Sequence, residues 1–233
     1  MSLPHRPTVS VVIPVHNEAA YLPSAIERLF EELESVPADV TVLIAENGSM
    51  DGSADVVRKL AADREDLDLL ELPDADYGAA MRAGFLATSG EWAVNFDIDY
   101  FSGDFLTAAI ANDNADLVLA SKRAPGSDDR RSPTRRMATW GFNVLLRTVL
   151  RSAVYDTHGM KAVRRKVVDD LAPQVVSTTD LFDTELVIRA ERAGYRIIEV
   201  PVTVQEQRES RSRLWKRVPR TLRGIWTIKR ELE

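Results

Sequence analysis

Between Val9 and Phe96 short aliphatic runs alternate with stretches of helical spacing. The runs are VSVVIPV at 9–15, VTVLIA at 40–45, Leu67 to Leu72 and Trp92 to Phe96. They are rich in β-branched residues, and the first two show no polar alternation. A strand without alternation is buried on both faces, which requires a sheet covered on both sides. Helices are expected over 19–35, where Leu22, Ile26, Leu29, Phe30 and Leu33 share a face, and over 54–62 and 76–89. The order β-α-β-α-β-α-β with short connections implies an α/β, Rossmann-like fold: a doubly wound, mostly parallel sheet with helices on both faces. Such sheets bind ligands outside the carboxyl ends of their strands. The residues waiting there are Pro14, Asn17 and Glu18, then Glu46 and Asn47, then Asp97 and Asp99.

The second half is less regular. Leu117 to Ala120 reads as a strand, and 121–136 as a polar loop with six Lys/Arg. Helices are expected over 136–150, 165–171 and 183–193, the last stopped by Gly194, with a strand over 196–204. One domain over 1–205 is expected, followed by a basic amphipathic segment at 206–233. That segment holds nine Lys/Arg and four Asp/Glu, although the whole chain carries a net charge of −6. A basic tail on an acidic body suggests a local anionic partner and not a nucleic-acid-coating protein.

The chain has no cysteine, which excludes disulfides, thiol nucleophiles and cysteine-zinc sites. Three scattered histidines do not suggest a metal cage. Carboxylates and arginines remain as the chemistry in supply. No run approaches ~20 apolar residues, and Met1 to Thr8 is short and polar. The expected location is cytoplasmic, with peripheral contact at the inner membrane surface.

Four constellations carry chemistry. Asp97-Ile98-Asp99 closes a strand, where residues i and i+2 point the same way and two carboxylates can converge on a hard divalent ion. Read alone, the pair is equally two solvated loop acids. The turn Glu46-Asn47-Gly48-Ser49-Met50-Asp51-Gly52-Ser53 offers Glu46 to a nucleobase or ribose; it is also a plain strand-to-helix turn with Ser53 or Asp51 as cap. A third group is Arg82, Lys122, Arg123, Arg130, Arg131, Arg135 and Arg136, whose guanidinium forks suit phosphate, although most are expected to be solvated. Pro125-Gly126-Ser127 among them suggests a mobile loop. The fourth is 213–230, with Leu214, Trp215, Val218, Leu222, Ile225, Trp226 and Ile228 amid basic residues. It fits an anionic lipid surface, or a helix packed on the body with a basic outer face.

Taken together, VSVVIPVHNE, ENGSMDGS, DYGAAMRAGFLATSGEW and FDIDY resemble the family 2 glycosyltransferases of GT-A fold. DTHGMKAVRR at 156–165 and FDTELVIRAERAGYRIIEVPV at 182–202 extend the resemblance to the polyprenyl-phosphate, dolichol-phosphate mannosyltransferase-like branch. The resemblance implies inverting transfer of a hexose from a nucleotide-diphosphate sugar, with Mg²⁺ or Mn²⁺ on Asp97 and Asp99. It places Pro14, Asn17 and Glu18 on the first nucleotide-binding loop and Glu46 where the family has a base-contacting Asp; Asn47, Gly78 and Arg82 are further substrate-binding candidates. Arg123 and Arg135 fall where that branch holds phosphates, and Arg208, Ser212 and Arg213 resemble its late basic element. Phe101 departs from the pattern, standing where a further polar metal ligand is common.

Chemistry then turns on the acceptor. A phosphate is already anionic and needs little base catalysis; a hydroxyl needs a positioned carboxylate, for which Asp183 and Glu185 are candidates and Asp156 a weaker one. Helix N-terminal acids stabilised by the dipole are the alternative for both. His158 reads more as a turn residue than a catalyst. The leading expectation is a polyprenyl-phosphate acceptor. The alternatives are a soluble hydroxyl acceptor, such as a sugar or secondary metabolite, and a non-catalytic sugar-nucleotide-binding protein.

Overall fold

A computed structural model of the chain describes residues 5–154, 157, 159–177, 181–204 and 214–232, without the side chains of 135 and 214–217. In chain order the elements are β1 (Thr8–Val15), α1 (Leu22–Leu33), β2 (Asp39–Asn47), α2 (Ser53–Ala61), β3 (Leu67–Leu72), α3 (Tyr77–Ala87), β4 (Trp92–Asn95), α4 (Gly103–Ile110), β5 (Leu117–Ser121), β6 (Asp128–Asp129) and α5 (Pro133–Val149). Then come β7 (Lys161–Arg164), α6 (Arg165–Leu171), a 3₁₀ turn (Ala172–Gln174), α7 (Phe182–Arg192), β8 (Ile197–Pro201), β9 (Thr203–Val204) and α8 (Leu214–Leu232).

Seven strands form one sheet in the order β3-β2-β1-β4-β7-β5-β8. All neighbours are parallel except β7, which runs antiparallel to both β4 and β5. The strand alternation sorts side chains into two layers. Val9, Val11, Ile13 and Val15 of β1 enter a core with α1, α2 and α4, while Val12 enters the opposite one with α3, α6 and α7. Leu22, Ile26, Leu29 and Leu33 carry α1 onto the sheet, each burial contributing roughly 1.5–3 kcal/mol. Gly84 lets α3 lie against β1: a Cβ there would stand 2.4 Å from Val12 Cγ1.

Three expectations are corrected. The antiparallel β7 and the helix α4 have no counterpart in the sequence reading. The polar loop at 121–136 is partly structured, since β6 pairs with β9 and α5 starts at Pro133. The expected strand at 196–204 breaks at Val202 into β8 and β9. The stop at Gly194 holds, with φ +79°. The third core joins α5, α7 and α8 through Leu146, Leu150, Leu181, Ile188, Ile225 and Ile228.

Candidate active site

Parallel β1, β2 and β4 deliver their carboxyl ends to one edge, and the loops there are tied together. His16 Nδ1 lies 2.7 Å from the Asn47 carbonyl, and the Asn17 amide donates to Ser49 Oγ at 2.8 Å. Asn17 sits in the left-handed region (φ +54°), and its Oδ1 accepts from the Met50 amide. Glu18 and Ala19 amides donate to Ser53 Oγ and Asp51 Oδ2. Pro14 extends the ladder opposite Ala45. Glu46 is buried, and its Oε1 accepts from the Ser49 amide at 2.6 Å, closing its own turn. The cap of α2 is Gly52, neither Ser53 nor Asp51, although Asp51 Oδ1 accepts from the Ser53 amide. Burial raises the Asp51 carboxyl, but the Ser53 hydroxyl and then the amides of Ala19 and Ser53 together hold it below its ordinary value.

Asp97 and Asp99 lie beyond the end of β4, on a tight turn and not on the strand. The backbones of Asp97 and Tyr100 exchange hydrogen bonds at 3.0 and 3.1 Å, and Ile98 anchors the turn in the core. The turn, and not a strand face, sets the two carboxylates near enough for the charge of Asp99 to act on Asp97. Burial, then the negative charges of Asp183 and Asp99, push the Asp97 carboxyl up to about 6; Lys161 and Lys122 pull it the other way. Among the described residues no group of three or more His, Asp or Glu side chains could hold a metal by itself. The pair therefore offers two hard oxygen donors in a surplus of negative charge. That donor set fits Mg²⁺ or Mn²⁺ whose remaining ligands come from phosphate. Phe101 is half-buried against the core, with the Arg28 guanidinium 6.0 Å from its ring centre.

Asp183, in the first turn of α7, is buried and doubly engaged. Its Oδ1 lies 2.9 Å from Lys161 Nζ, and Tyr77 OH donates to its Oδ2 at 2.6 Å. Burial and the charges of Asp183 and Asp97 drive the Tyr77 hydroxyl well above its usual range, so it stays a donor. Lys161, Tyr77 and Asn95 were not singled out from the sequence; a lysine at the head of a four-residue strand carries no local signal of burial. Gly78 follows Tyr77 in the first turn of α3, where it is buried.

Glu185 is corrected as a catalytic candidate. It is fully buried, accepts from the Val176 and Ser177 amides and pairs with Arg189 at 2.7 Å. Its carboxylate holds a loop and a helix together. The Arg82 guanidinium donates to the carbonyls of Ala172 and Pro173 and packs α3 on the 3₁₀ turn. Arg130 and Arg131 pair with Asp128 and Asp129 of β6.

Arg123 follows β5. Ser121 Oγ accepts from the amides of Arg123 and Ala124, fixing that turn. Arg123 lines a 190 Å³ cleft with Trp140, Asn143, Val144 and Arg147 of α5. Asn143 is 5% exposed, and its Nδ2 has no hydrogen-bond partner. The Arg135 side chain and residues Asp156, His158, Arg208, Ser212 and Arg213 lie outside the described residues.

Known proteins resemble this chain in sequence and in fold. Residues 10–172 match the family described as Glycosyl transferase family 2. The chain is 30% identical to a polyprenol monophosphomannose synthase of Mycolicibacterium smegmatis, covering 87% of this chain and 80% of that protein. It is 32% identical to glycosyltransferase AglD of Haloferax volcanii over 83% of its length, and spans about a third (32%) of that relative. Glucosyl-3-phosphoglycerate synthase of Mycobacterium tuberculosis, solved with Mn²⁺, UDP-glucose and phosphoglyceric acid, superposes with a TM-score of 0.71 at 20% identity, covering 96% of this chain and 79% of that one. With the family match running from β1 to the start of the 3₁₀ turn, across six of the seven strands of the main sheet, the chain belongs to glycosyltransferase family 2.

Proposed function

We propose that this protein is an inverting, metal-dependent hexosyltransferase that uses a nucleotide-diphosphate sugar of GDP-mannose or UDP-glucose type and a polyprenyl phosphate acceptor. The observation that carries the acceptor is the state of the candidate bases. Asp183 is ion-paired with Lys161 through Oδ1, which accepts no hydrogen bond, and accepts from Tyr77 at Oδ2, while Glu185 is buried among its own partners. Glu185 is closed off from a hydroxyl acceptor, and Asp183 would have to take the proton while ion-paired with Lys161. A phosphate acceptor needs no such group: its anionic oxygen attacks C1 of the sugar, the bond from C1 to the diphosphate breaks, and the electron pair leaves with the nucleoside diphosphate.

The remaining groups have matching roles. Asp97 and Asp99 would hold the divalent ion, which supplies positive charge against the diphosphate leaving group. Arg123, with the unpartnered amide nitrogen of Asn143 beside it, suits the acceptor phosphate. The name of the mycobacterial relative supports a polyprenol acceptor. The Mn²⁺ and UDP-glucose bound by the structural neighbour support the donor and metal.

Peripheral contact with an anionic membrane belongs to the same reading. Helix α8 buries Ile225 and Ile228 and exposes Val218, Leu222 and Trp226, while α5 exposes Met137, Trp140 and Val144. No helix among the described residues is long and apolar enough to cross a membrane. A second reading, transfer to a soluble hydroxyl, is favoured by the phosphoglyceric acid in the structural neighbour.

Thermal unfolding with UDP, GDP, UDP-glucose and GDP-mannose, each with Mn²⁺ or EDTA, tests the donor side. One nucleotide family should raise Tm with Mn²⁺ and lose the effect with EDTA or in Asp99→Ala. At ~100 times Kd the gain is about 2.7 kcal/mol. A metal-independent shift of equal size in the variant would contradict the assignment.

A further inference from the structure

Lys161 is fully buried at the start of β7. The strand lies between β4 and β5 and opposes both, so its first residue meets their carboxyl ends: Lys161 pairs with Asn95 and with Leu119. Its ammonium donates two hydrogen bonds within the protein and makes one ion pair. Nζ lies 2.9 Å from Asp183 Oδ1, 2.7 Å from the Gly159 carbonyl and 3.3 Å from Asn95 Oδ1. These partners stand on α7, on the turn entering β7 and on β4, two residues before Asp97. Tyr77 of α3 closes the network through Asp183 Oδ2, and Asn95 Nδ2 faces Tyr77 OH at 3.5 Å. Gly159 itself (φ +112°) lies against Lys122: a Cβ there would stand 3.2 Å from Lys122 Nζ.

A buried ion pair of this kind is weak evidence for stability, because desolvation offsets most of the Coulomb gain. Its position is more informative. One cation fastens the turn bearing the proposed metal carboxylates to the turn beside Lys122 and Arg123. In the transfer reading these are the donor side and the acceptor side. We propose that Lys161 is a positioning residue, whose buried ammonium fixes the alignment of the donor-binding edge against the acceptor-binding edge without touching either substrate. The inference rests on that transfer reading. Misalignment by about 1 Å can cost ~100-fold in rate while each half-site still binds its own ligand.

Lys161→Met, assayed well below its own Tm, should lose about 100-fold in kcat. At about pH 8.5, where Asp97 stays ionised without help from Lys161, the variant's Kd for the Mn²⁺-nucleotide, read by calorimetry, and its KM for acceptor should stay within about threefold of the wild type. A folded variant with near-normal kcat overturns the proposal, and so does one whose nucleotide affinity falls in step with kcat. Should Lys161→Met not fold, the absence of cysteine in the chain allows a second measurement. Lys161→Cys is alkylated in denaturant with 2-bromoethylamine or with bromopropane and refolded. The aminoethyl form, which restores an ammonium at the same reach, should recover kcat to within about tenfold, and the neutral propyl form should fold but stay about 100-fold down. Equal recovery with both, refolding of neither, or refolding of the aminoethyl form alone leaves Lys161 to stability and overturns the proposal. Wild-type transfer is measured alongside. If the wild type makes no polyprenyl product, the acceptor assignment fails separately, and the Lys161 comparison is read on transfer to the soluble hydroxyl acceptor that the wild type does use.

Discussion

Asp97 titrates near 6 in the folded chain, against 3.8 for an unperturbed aspartate, because burial and two neighbouring carboxylates oppose its charge. Between about pH 4 and pH 6 the native state holds a proton that the unfolded chain has released. This group therefore makes the metal-free protein lose stability as pH rises through that window. Asp97→Asn removes the repulsion. In EDTA the variant should be more stable than the wild type at pH 7.5, with a flatter stability profile between pH 4 and 6, and should no longer gain Tm from Mn²⁺ with nucleotide. Chemical denaturation across pH reads the first, and an unchanged profile would contradict the electrostatic account. At this scale the sequence was legible where chemistry and spacing coincide, as in Asp97 and Asp99 at the end of an aliphatic run. It was not legible where partners come from afar. Tyr77 and Asp183 are 106 residues apart, and nothing local marks Glu185 as locked or Asp183 as paired.

Elements followed the same logic. Strands β1, β2 and β4 are readable because burial on both faces leaves few polar residues, while the edge strand β3 keeps Asp68 and Glu71 among its leucines. The four-residue β7 is not readable, because it follows a glycine turn and opens with a lysine that only tertiary contacts neutralise. Helix α4 is not legible because its eight residues, GDFLTAAI, carry only Asp104 and Thr107 as polar side chains, too few to set a helical period. Packing at this scale makes a paired prediction. Gly84→Ala places a methyl group into Val12 and should destabilise the fold by about 1–3 kcal/mol. Gly141→Ala, in mid-α5 with nothing near its Cβ, should stabilise it by about 0.5–1 kcal/mol. Urea denaturation of the two variants decides this, and loss of stability at 141 or neutrality at 84 would contradict the described packing.

On the scale of the whole molecule, the two readings of the basic tail prove compatible. Ile225 and Ile228 of α8 pack against α5 and α7, while Val218, Leu222 and Trp226 face outward among Arg220, Arg223, Lys229 and Arg230. Under the proposed membrane contact, the protein should pellet with anionic vesicles at low salt and release at high salt, each surface cation contributing about 1 kcal/mol. Trp226→Asp should weaken binding at least tenfold without changing Tm in solution. Equal pelleting of the variant would contradict a role for that stripe.

The central claim concerns the acceptor: with its candidate bases engaged, this site transfers a hexose to a phosphate. The direct measurement incubates the protein, Mn²⁺ and the nucleotide sugar that raises its Tm with undecaprenyl phosphate in detergent, and in parallel with soluble sugar and glycerate hydroxyl acceptors. Products are identified by mass spectrometry and by the anomeric configuration at C1. The account predicts a polyprenyl phosphate sugar with inverted configuration, abolished by EDTA and by Asp99→Ala, and a rate to hydroxyl acceptors lower by at least about 100-fold. Efficient transfer to a hydroxyl with no lipid product would contradict it, and would mean that Asp183 is released from Lys161 and Tyr77 to act as a base.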